Sequence, residues 1–350
     1  METLRHPLDK GGRMLNWLRK KKKKAGQAPW PVVYDKIYPP FYNIYTKLDG
    51  TEPKLYNEKG QPVHVFFIRD KTSAHASSQL GHHILWDKYN FELKTHFYTH
   101  ECMLETMGSP IRRYGAFFET RGIRPDSFRI FEENPGLEKD FDLIFTYDDE
   151  TLNKYANARF VPFCATVKLD FAKIAELDHT YKLLDDNLYQ KKNKNISILS
   201  SDKTMCELHT LRIETAKYLK RNHLADTYGT FDGGGFVKAY ETLKDYRYSF
   251  VFENIISDYT FTEKLTNCFA MQTIPVYIGA AKINQFFNTD GIIQISLNDL
   301  TNLEKIVKEC TAENYKERQQ AVLDNYQRVK QFFNVEDWMY ETYLQSQFEK

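Results

Sequence analysis

Lys264 stands in the first turn of a helix that opens at Thr262-Glu263-Lys264. A lysine there opposes the positive end of the helix dipole. An anion bound at that helix start would turn the unfavourable charge into a favourable one. The surrounding stretch, Tyr248 to Gln294, reads strand, polar turn, helix, strand, helix, strand. Glu253 and Asn254 follow directly on the apolar run that ends at Phe252. In open α/β sheets, ligands bind outside the carboxyl ends of the strands. A helix N-terminus at that place offers free N–H groups to a phosphate. The residue types and their spacing therefore point to an anion site shared by a strand end and a helix start. Each residue also has a bland reading: a helix-start charge for Glu263, a turn cap for Asn254, loop support for Glu253.

Three blocks at fixed spacing carry a resemblance: Phe252-Glu253-Asn254, Thr262-Glu263-Lys264 and Thr273-Ile274-Pro275-Val276-Tyr277-Ile278-Gly279. Together they resemble the donor-binding signature of glycosyltransferase family 10, the α-1,3/1,4-fucosyltransferases. The clear resemblance covers roughly Ile196 to Leu300. It implies that Arg212, on a helix after the apolar run at Ile198, reaches a donor diphosphate. An arginine fork suits a bidentate grip on such oxygens. Lys264 would add a second positive charge where a leaving diphosphate develops its own. Glu263 is implied in contact with the nucleotide ribose or the transferring sugar. Where the family carries a tyrosine three residues before the glutamate of T-E-K, this chain has Thr260, with Tyr259 one place earlier. Both are kept as donor-side candidates. Tyr228-Gly229 and the run Asp232-Gly233-Gly234-Gly235 resemble the family's glycine-containing loop.

An inverting transfer needs one carboxylate within hydrogen-bond reach of the acceptor hydroxyl. Phe131-Glu132-Glu133-Asn134-Pro135, followed by a strand at Phe141 to Tyr147, is the best match to the family's proposed base loop. Glu133 is preferred over Glu132, and both stay open. No metal is expected. The acids at Asp148-Asp149-Glu150 and Asp185-Asp186 lack the context of a metal-dependent transferase. His82-His83, His96 and His100 lack metal-ligand spacing and read as acceptor-cleft or surface residues.

These residues need a scaffold, and 350 residues suffice for two domains of ordinary size. The resemblance implies the GT-B type, an α/β fold with two Rossmann-like domains facing a cleft. The expected layout is a basic, aromatic arm over 1–60 and an acceptor-binding α/β domain over 61–182. A linker over 183–195 follows, then the nucleotide-sugar domain over 196–310 and helices over 311–350 that cross back to the first domain. Val63 to Ile68 reads as a strand buried on both faces. Leu80 to Trp86 reads as a helix, Phe128 to Phe131 as a strand, and Phe236 to Tyr246 as a helix.

A formal charge of +1 excludes a general affinity for nucleic acid. Five cysteines without close pairs argue for reduced thiols and a cytosolic setting. No apolar run is long enough to span a membrane. Trp17 beside Lys20 to Lys24 gives a basic stretch suited to peripheral contact with an anionic membrane. The resulting expectation is a fucosyltransferase using GDP-β-L-fucose, with no cofactor required. Its acceptor would be a GlcNAc- or Glc-bearing surface glycan of lipopolysaccharide type, fucosylated in α-1,3 linkage. A different nucleotide sugar, or a catalytically inactive glycan-binding scaffold, are the alternatives.

Overall fold

Val63 to Ile68 is apolar at consecutive positions, and a strand of that kind needs cover on both faces. The computed structural model supplies it. It describes residues 54–348, apart from 58, 71–81, 88–89 and 165–184. The run forms β2 (Pro62–Arg69) near one end of a seven-stranded sheet. The other strands are β1 (Leu55–Tyr56), β3 (Ile84–Asp87), β4 (Thr95–Thr99), β5 (Arg112–Ala116), β6 (Leu143–Thr146) and β7 (Ala158–Phe160). Their order is β1-β2-β4-β5-β6-β7, with β3 also paired to β2, and only β1 runs antiparallel.

The second sheet is fully parallel. It comprises β8 (Lys194–Leu199), β9 (Asp226–Tyr228), β10 (Tyr246–Phe252), β11 (Ile274–Ile278) and β12 (Ile293–Gln294). Its order is β12-β11-β10-β8-β9. The chain leaves β8 toward β9 on one side and then returns to build β10, β11 and β12 on the other. The order therefore reverses between β8 and β10. That reversal opens a crevice at the carboxyl ends of these two strands.

The described helices are α1 (Ile130–Glu133), α2 (Asp149–Lys154), α3 (Glu207–Arg221), α4 (Glu263–Ala270), α5 (Leu303–Glu309), α6 (Ala312–Glu317), α7 (Gln319–Val329), α8 (Val335–Met339) and α9 (Gln345–Phe348), the last two joined by a π turn. The segment after α7 lies on the first sheet. There Tyr340 is hydrogen-bonded to His64 at 2.8 Å, Tyr343 donates to the Phe160 carbonyl at 2.9 Å, and Tyr114 donates to Gln347 at 2.7 Å. One apolar core runs through both domains, joining Phe97 and Phe145 to Phe261, Phe269, Phe332 and Leu344.

Three local expectations are corrected. Residues 84–86 of the expected helix Leu80 to Trp86 belong to β3, because a four-residue run buried at every position fits a strand and is too short for a helix. Phe128 to Phe131 is not a strand: Pro125 opens a 3-10 turn that runs into α1. Phe236 to Tyr246 is not a helix but an irregular segment with a short 3-10 turn (Ala239–Thr242), and Tyr246 already belongs to β10. The described part of the expected linker is tied down at Lys192. Lys192 within it is buried and donates to the Leu243 carbonyl at 2.8 Å and to Thr273 Oγ1 at 3.0 Å. The basic stretch with Trp17 lies outside the described residues. Among those described, no helix is long and apolar enough to cross a membrane.

Candidate active site

The crevice at the β8/β10 reversal deepens into a cleft of about 440 Å³ between the two domains. That volume falls within the usual range for small-ligand sites. The second domain contributes Ser201 after β8, Arg212 and His209 from α3, Asn254 after β10, and Glu263 and Lys264 from α4. The first domain contributes Phe118, Glu119, Ile123, Tyr147 and Phe163.

Arg212 occupies a core position of its helix. The buried face of α3 runs through Leu208, Arg212, Thr215, Ala216 and Leu219, the spacing of an amphipathic helix. An arginine in that stripe is only 7% exposed. It makes one hydrogen bond, from Nη2 to Ser201 Oγ at 3.3 Å, and its Nε is buried with no partner. Burial pushes its guanidinium below the ordinary arginine value, while Glu253 and Glu263 partly offset this at longer range. A buried guanidinium without a carboxylate in contact is costly. It becomes favourable when an anion enters the cleft.

Lys264 supplies the second charge. Burial alone would push its ammonium down, but Glu263 at 3.3 Å and Glu253 at 3.9 Å outweigh that and hold it above the usual lysine value. Glu253 itself is fully buried and works as a latch between strand and helix. Its carboxylate accepts from Thr262 N at 2.9 Å and from Thr262 Oγ1 at 2.6 Å. Thr262 in turn caps α4. Burial pushes the Glu253 carboxyl up, and Lys264 and Thr262 pull it back in part. Gly279 is required behind this latch, because a Cβ there would meet Tyr277 Oη at 2.3 Å and Glu253 Cγ at 2.6 Å.

Asn254 is oriented by His209. The His209 Nδ1 accepts from Met205 N at 3.3 Å, so the ring proton sits on Nε2 and is donated to Asn254 Oδ1 at 2.9 Å. Burial keeps this histidine neutral by lowering its pKa. Asn254 lines the cleft, and with its oxygen engaged by His209 its amide contributes a donor nitrogen.

The residues expected on the donor side divide into two groups. Arg212, Asn254, Glu263 and Lys264 line the cleft, with Glu253 directly behind them. Tyr259 and Thr260 do not line it. They pack against the first domain, where Tyr259 N donates to Asp149 Oδ1 at 3.3 Å and Thr260 Oγ1 donates to the Tyr147 carbonyl at 2.9 Å.

The structure does not bring Glu132 or Glu133 to the cleft. Both lie on α1 with side chains more than half exposed. Glu132 pairs with Lys154 at 3.0 Å and Glu133 with Arg129 at 3.5 Å. The carboxylate that the first domain does present is Glu119, which the sequence reading passed over. It follows β5 just beyond its carboxyl end, the position at which open sheets carry their ligand contacts. Recognising RRYGA as a strand would have exposed that signal. Its neighbour Tyr147 senses charge from both domains. Burial first, then Glu119, Glu263 and Glu253, push its phenol well above the ordinary range, so it stays protonated. Among the described residues, no group of three or more His, Cys, Asp or Glu side chains stands together as a metal site.

Residues 189–347 match the family model described as glycosyltransferase family 10 (fucosyltransferase), C-terminal domain. No curated protein sequence matches the chain. Among solved structures, the chain is similar to Anabaena HepE in complex with UDP-glucose, with 9% identity and a TM-score of 0.52 over 81% of this chain and 99% of that one. HepE with UDP and glucose gives 8% identity and a TM-score of 0.51 over the same shares. A crystal structure of an α1,3-fucosyltransferase with GDP gives 13% identity and a TM-score of 0.49 over 82% of this chain and 95% of that one. At such identities the HepE likeness concerns the fold alone, the GT-B arrangement of two α/β domains with parallel sheets.

Proposed function

We propose that the protein, whose residues 189–347 match the model of glycosyltransferase family 10 (fucosyltransferase), moves L-fucose from GDP-β-L-fucose to a sugar hydroxyl with inversion. The observation that carries the reading is Arg212, a buried guanidinium with an unpartnered Nε on the wall of the cleft. Beside it stands Lys264, and across the domain boundary stands Glu119.

In the proposed reaction, Glu119 takes the proton of the acceptor hydroxyl. The freed oxygen attacks the anomeric carbon of fucose. The bond from that carbon to the β-phosphate oxygen breaks, and its electron pair leaves with GDP. Arg212 and Lys264 neutralise the charge that develops on the diphosphate, and fixed charges inside a cleft act strongly because they need no reorganisation. Attack from the face opposite the leaving group turns the β-linked donor into an α-linked product. Asn254 and the N–H groups at the start of α4 would complete the diphosphate cradle.

The test is GDP release from GDP-fucose by the purified protein, with and without N-acetyllactosamine. Acceptor-dependent release supports the reading. Glu119→Gln is expected to lower it by about 10²- to 10⁴-fold, the usual contribution of a general base. Glu133→Gln, at a side chain 62% exposed, leaves it unchanged. Equal release from Glu119→Gln and wild type removes Glu119 from the mechanism. Release from GDP-mannose or a UDP-sugar, but not from GDP-fucose, overturns the donor assignment.

A further inference from the structure

His100 is the first residue beyond β4, and the protein carries two unfavourable features there. Its φ is +51°, in the left-handed region that a side chain with a Cβ avoids. Its ring is 1% exposed, and Nδ1 is buried with no partner. A residue with only a turn to make would more readily be glycine or asparagine. Strained, poorly satisfied residues persist where the surroundings impose them, often beside functional groups.

The ring's other nitrogen shows what it is held for. His100 Nε2 accepts a hydrogen bond from Phe118 N at 3.2 Å. The chain stays in the sheet as far as Phe117, whose N–H donates to the Phe145 carbonyl at 2.9 Å. At Phe118 the peptide leaves the ladder, and the imidazole takes over as acceptor. On the other side of the same residue, the Phe118 carbonyl accepts from Tyr147 Oη at 2.9 Å. The peptide groups before and after Phe118 are thus each held by a buried side chain. Glu119 is the next residue. Beyond it, the Thr120 carbonyl accepts from Ile123 N and Arg124 N, both at 3.0 Å, and closes a tight turn.

We propose that His100 is a positioning residue that, with Tyr147, clamps the Phe118 peptide groups and so sets the direction from which Glu119 meets the acceptor hydroxyl. The inference rests on the reading of Glu119 as the base. The clamp requires a neutral ring with a free Nε2 lone pair. Burial first, then the nearby Arg124 charge, keep it neutral by lowering its pKa to about 4.

The test compares His100→Leu, His100→Gln and Tyr147→Phe for kcat, acceptor KM and GDP affinity. It uses the full chain, GDP-fucose and the acceptor that supports GDP release. Leucine fills the space without an acceptor atom. Glutamine places Oε1 near the position of Nε2. His100→Leu is expected to lower kcat by about tenfold to a hundredfold, the effect of a misplaced catalytic group, with GDP affinity unchanged. His100→Gln is expected to recover most of that rate, which a role in packing alone would not predict. Tyr147→Phe is expected to lower kcat from the other side of the clamp. Wild-type kcat in His100→Leu, equal losses in the Leu and Gln variants, or a parallel fall in GDP affinity overturns the proposal. Should His100→Leu not fold, an unaltered kcat in Tyr147→Phe overturns it. Glu119→Gln in the same assay separates the two levels. If that variant stays fast, the base assignment falls and the clamp with it. If it is slow while His100→Leu is fast, only the clamp falls.

Discussion

Arg212→Met is expected to move stability and ligand affinity in opposite directions. Methionine keeps most of the length and apolar stem of arginine and removes the charge. In the free protein Arg212 is 7% exposed, and its guanidinium has one 3.3 Å hydrogen bond and an unpartnered Nε. The carboxylates whose field offsets part of this, Glu253 and Glu263, are already engaged by Lys264. Replacing poorly paired buried charge with an apolar side chain is commonly neutral or stabilising, so the free variant should gain about 1 kcal/mol. That corresponds to a Tm higher by about 2 °C. With GDP bound the balance reverses. Hydrogen bonds to charged partners contribute about 1.5–3 kcal/mol each, so losing a bidentate grip removes about 3 kcal/mol. Affinity then falls about a hundredfold. At a GDP concentration of about a hundred times the wild-type Kd, ligand stabilisation drops from about 2.7 to about 0.4 kcal/mol. Thermal unfolding with and without GDP, with calorimetric titration as a check, reads both effects. A variant that melts lower when free and keeps its full GDP shift would refute the reasoning. Arg212 would then be a packing residue whose charge is satisfied within the protein.

Two further outcomes follow from the same geometry. Gly279→Ala places a Cβ 2.3 Å from Tyr277 Oη and 2.6 Å from Glu253 Cγ. The strain should cost about 1–3 kcal/mol in urea unfolding and weaken GDP binding by pushing the Glu253 carboxylate off Thr262. Unchanged GDP affinity would show that the latch does not support the site. Stability should also fall in mild acid. His96 and His100 are both buried, and burial first of all lowers each pKa from 6.5 to about 4. The unfolded chain takes up protons below pH 6.5 while the folded one does not. Their stabilising contribution is thus full above pH 6.5 and is lost as pH falls toward 4, by up to about 3 kcal/mol each. The half-exposed His82, raised chiefly by its hydrogen bond to Asp337, works weakly the other way: its contribution is present below pH 6.5 and is lost as pH rises through its folded pKa. A urea midpoint that does not move between pH 7 and pH 5 would contradict the assignment of neutral buried rings.

The second domain's share of the cleft lining was legible because most of its parts lie close together in the chain. Glu253, Asn254, Thr262, Glu263 and Lys264 fall within twelve residues, and one strand–turn–helix unit brings them together. Arg212 was singled out through the resemblance and not through its spacing, since its polar neighbours read as a surface; only the structure shows it in step with Leu208, Ala216 and Leu219 on the buried face of α3. The proposed base was not legible for the opposite reason. Glu119 belongs to no local pattern, and its place depends on β5 lying beside β4 and β6. The sequence of β5 conceals it. Arg112 and Arg113 look like surface residues, yet Arg113 lies over the rings of Tyr98 and Phe141, and Arg112 lies over Phe348 near the chain's end. β4 is concealed in the same way. His96 looks polar, but its ring is fully buried, hydrogen-bonded to Tyr98 Oη at 2.8 Å and to the Leu93 carbonyl at 2.7 Å. A sheet whose central strands carry charged or ionisable side chains under cover does not show the apolar runs by which buried strands are read.

Tyr259 and Thr260 then acquire a role that their absence from the cleft does not diminish. The proposed base comes from one domain and the cations from the other, so their separation depends on how the domains meet. The loop between β10 and α4 makes that contact with its backbone. Asp258 N and Tyr259 N donate to the Asp149 carboxylate at 2.5 and 3.3 Å, and Thr260 Oγ1 donates to the Tyr147 carbonyl. On the facing loop, a Cβ at Gly122 would stand 2.9 Å from the Asn254 carbonyl. The two domains therefore also approach each other closely between the residue that follows Glu253 and the turn that follows Glu119. Contacts at that point leave little slack in the distance across which a proton and a sugar would be exchanged. Asp149 is part of the same joint. Burial raises its carboxyl pKa, and the two backbone donors pull it down in part. Thr260 suits this joint, because its short hydroxyl reaches the Tyr147 carbonyl while the backbone at Tyr259 stays close enough for Asp149 to hold.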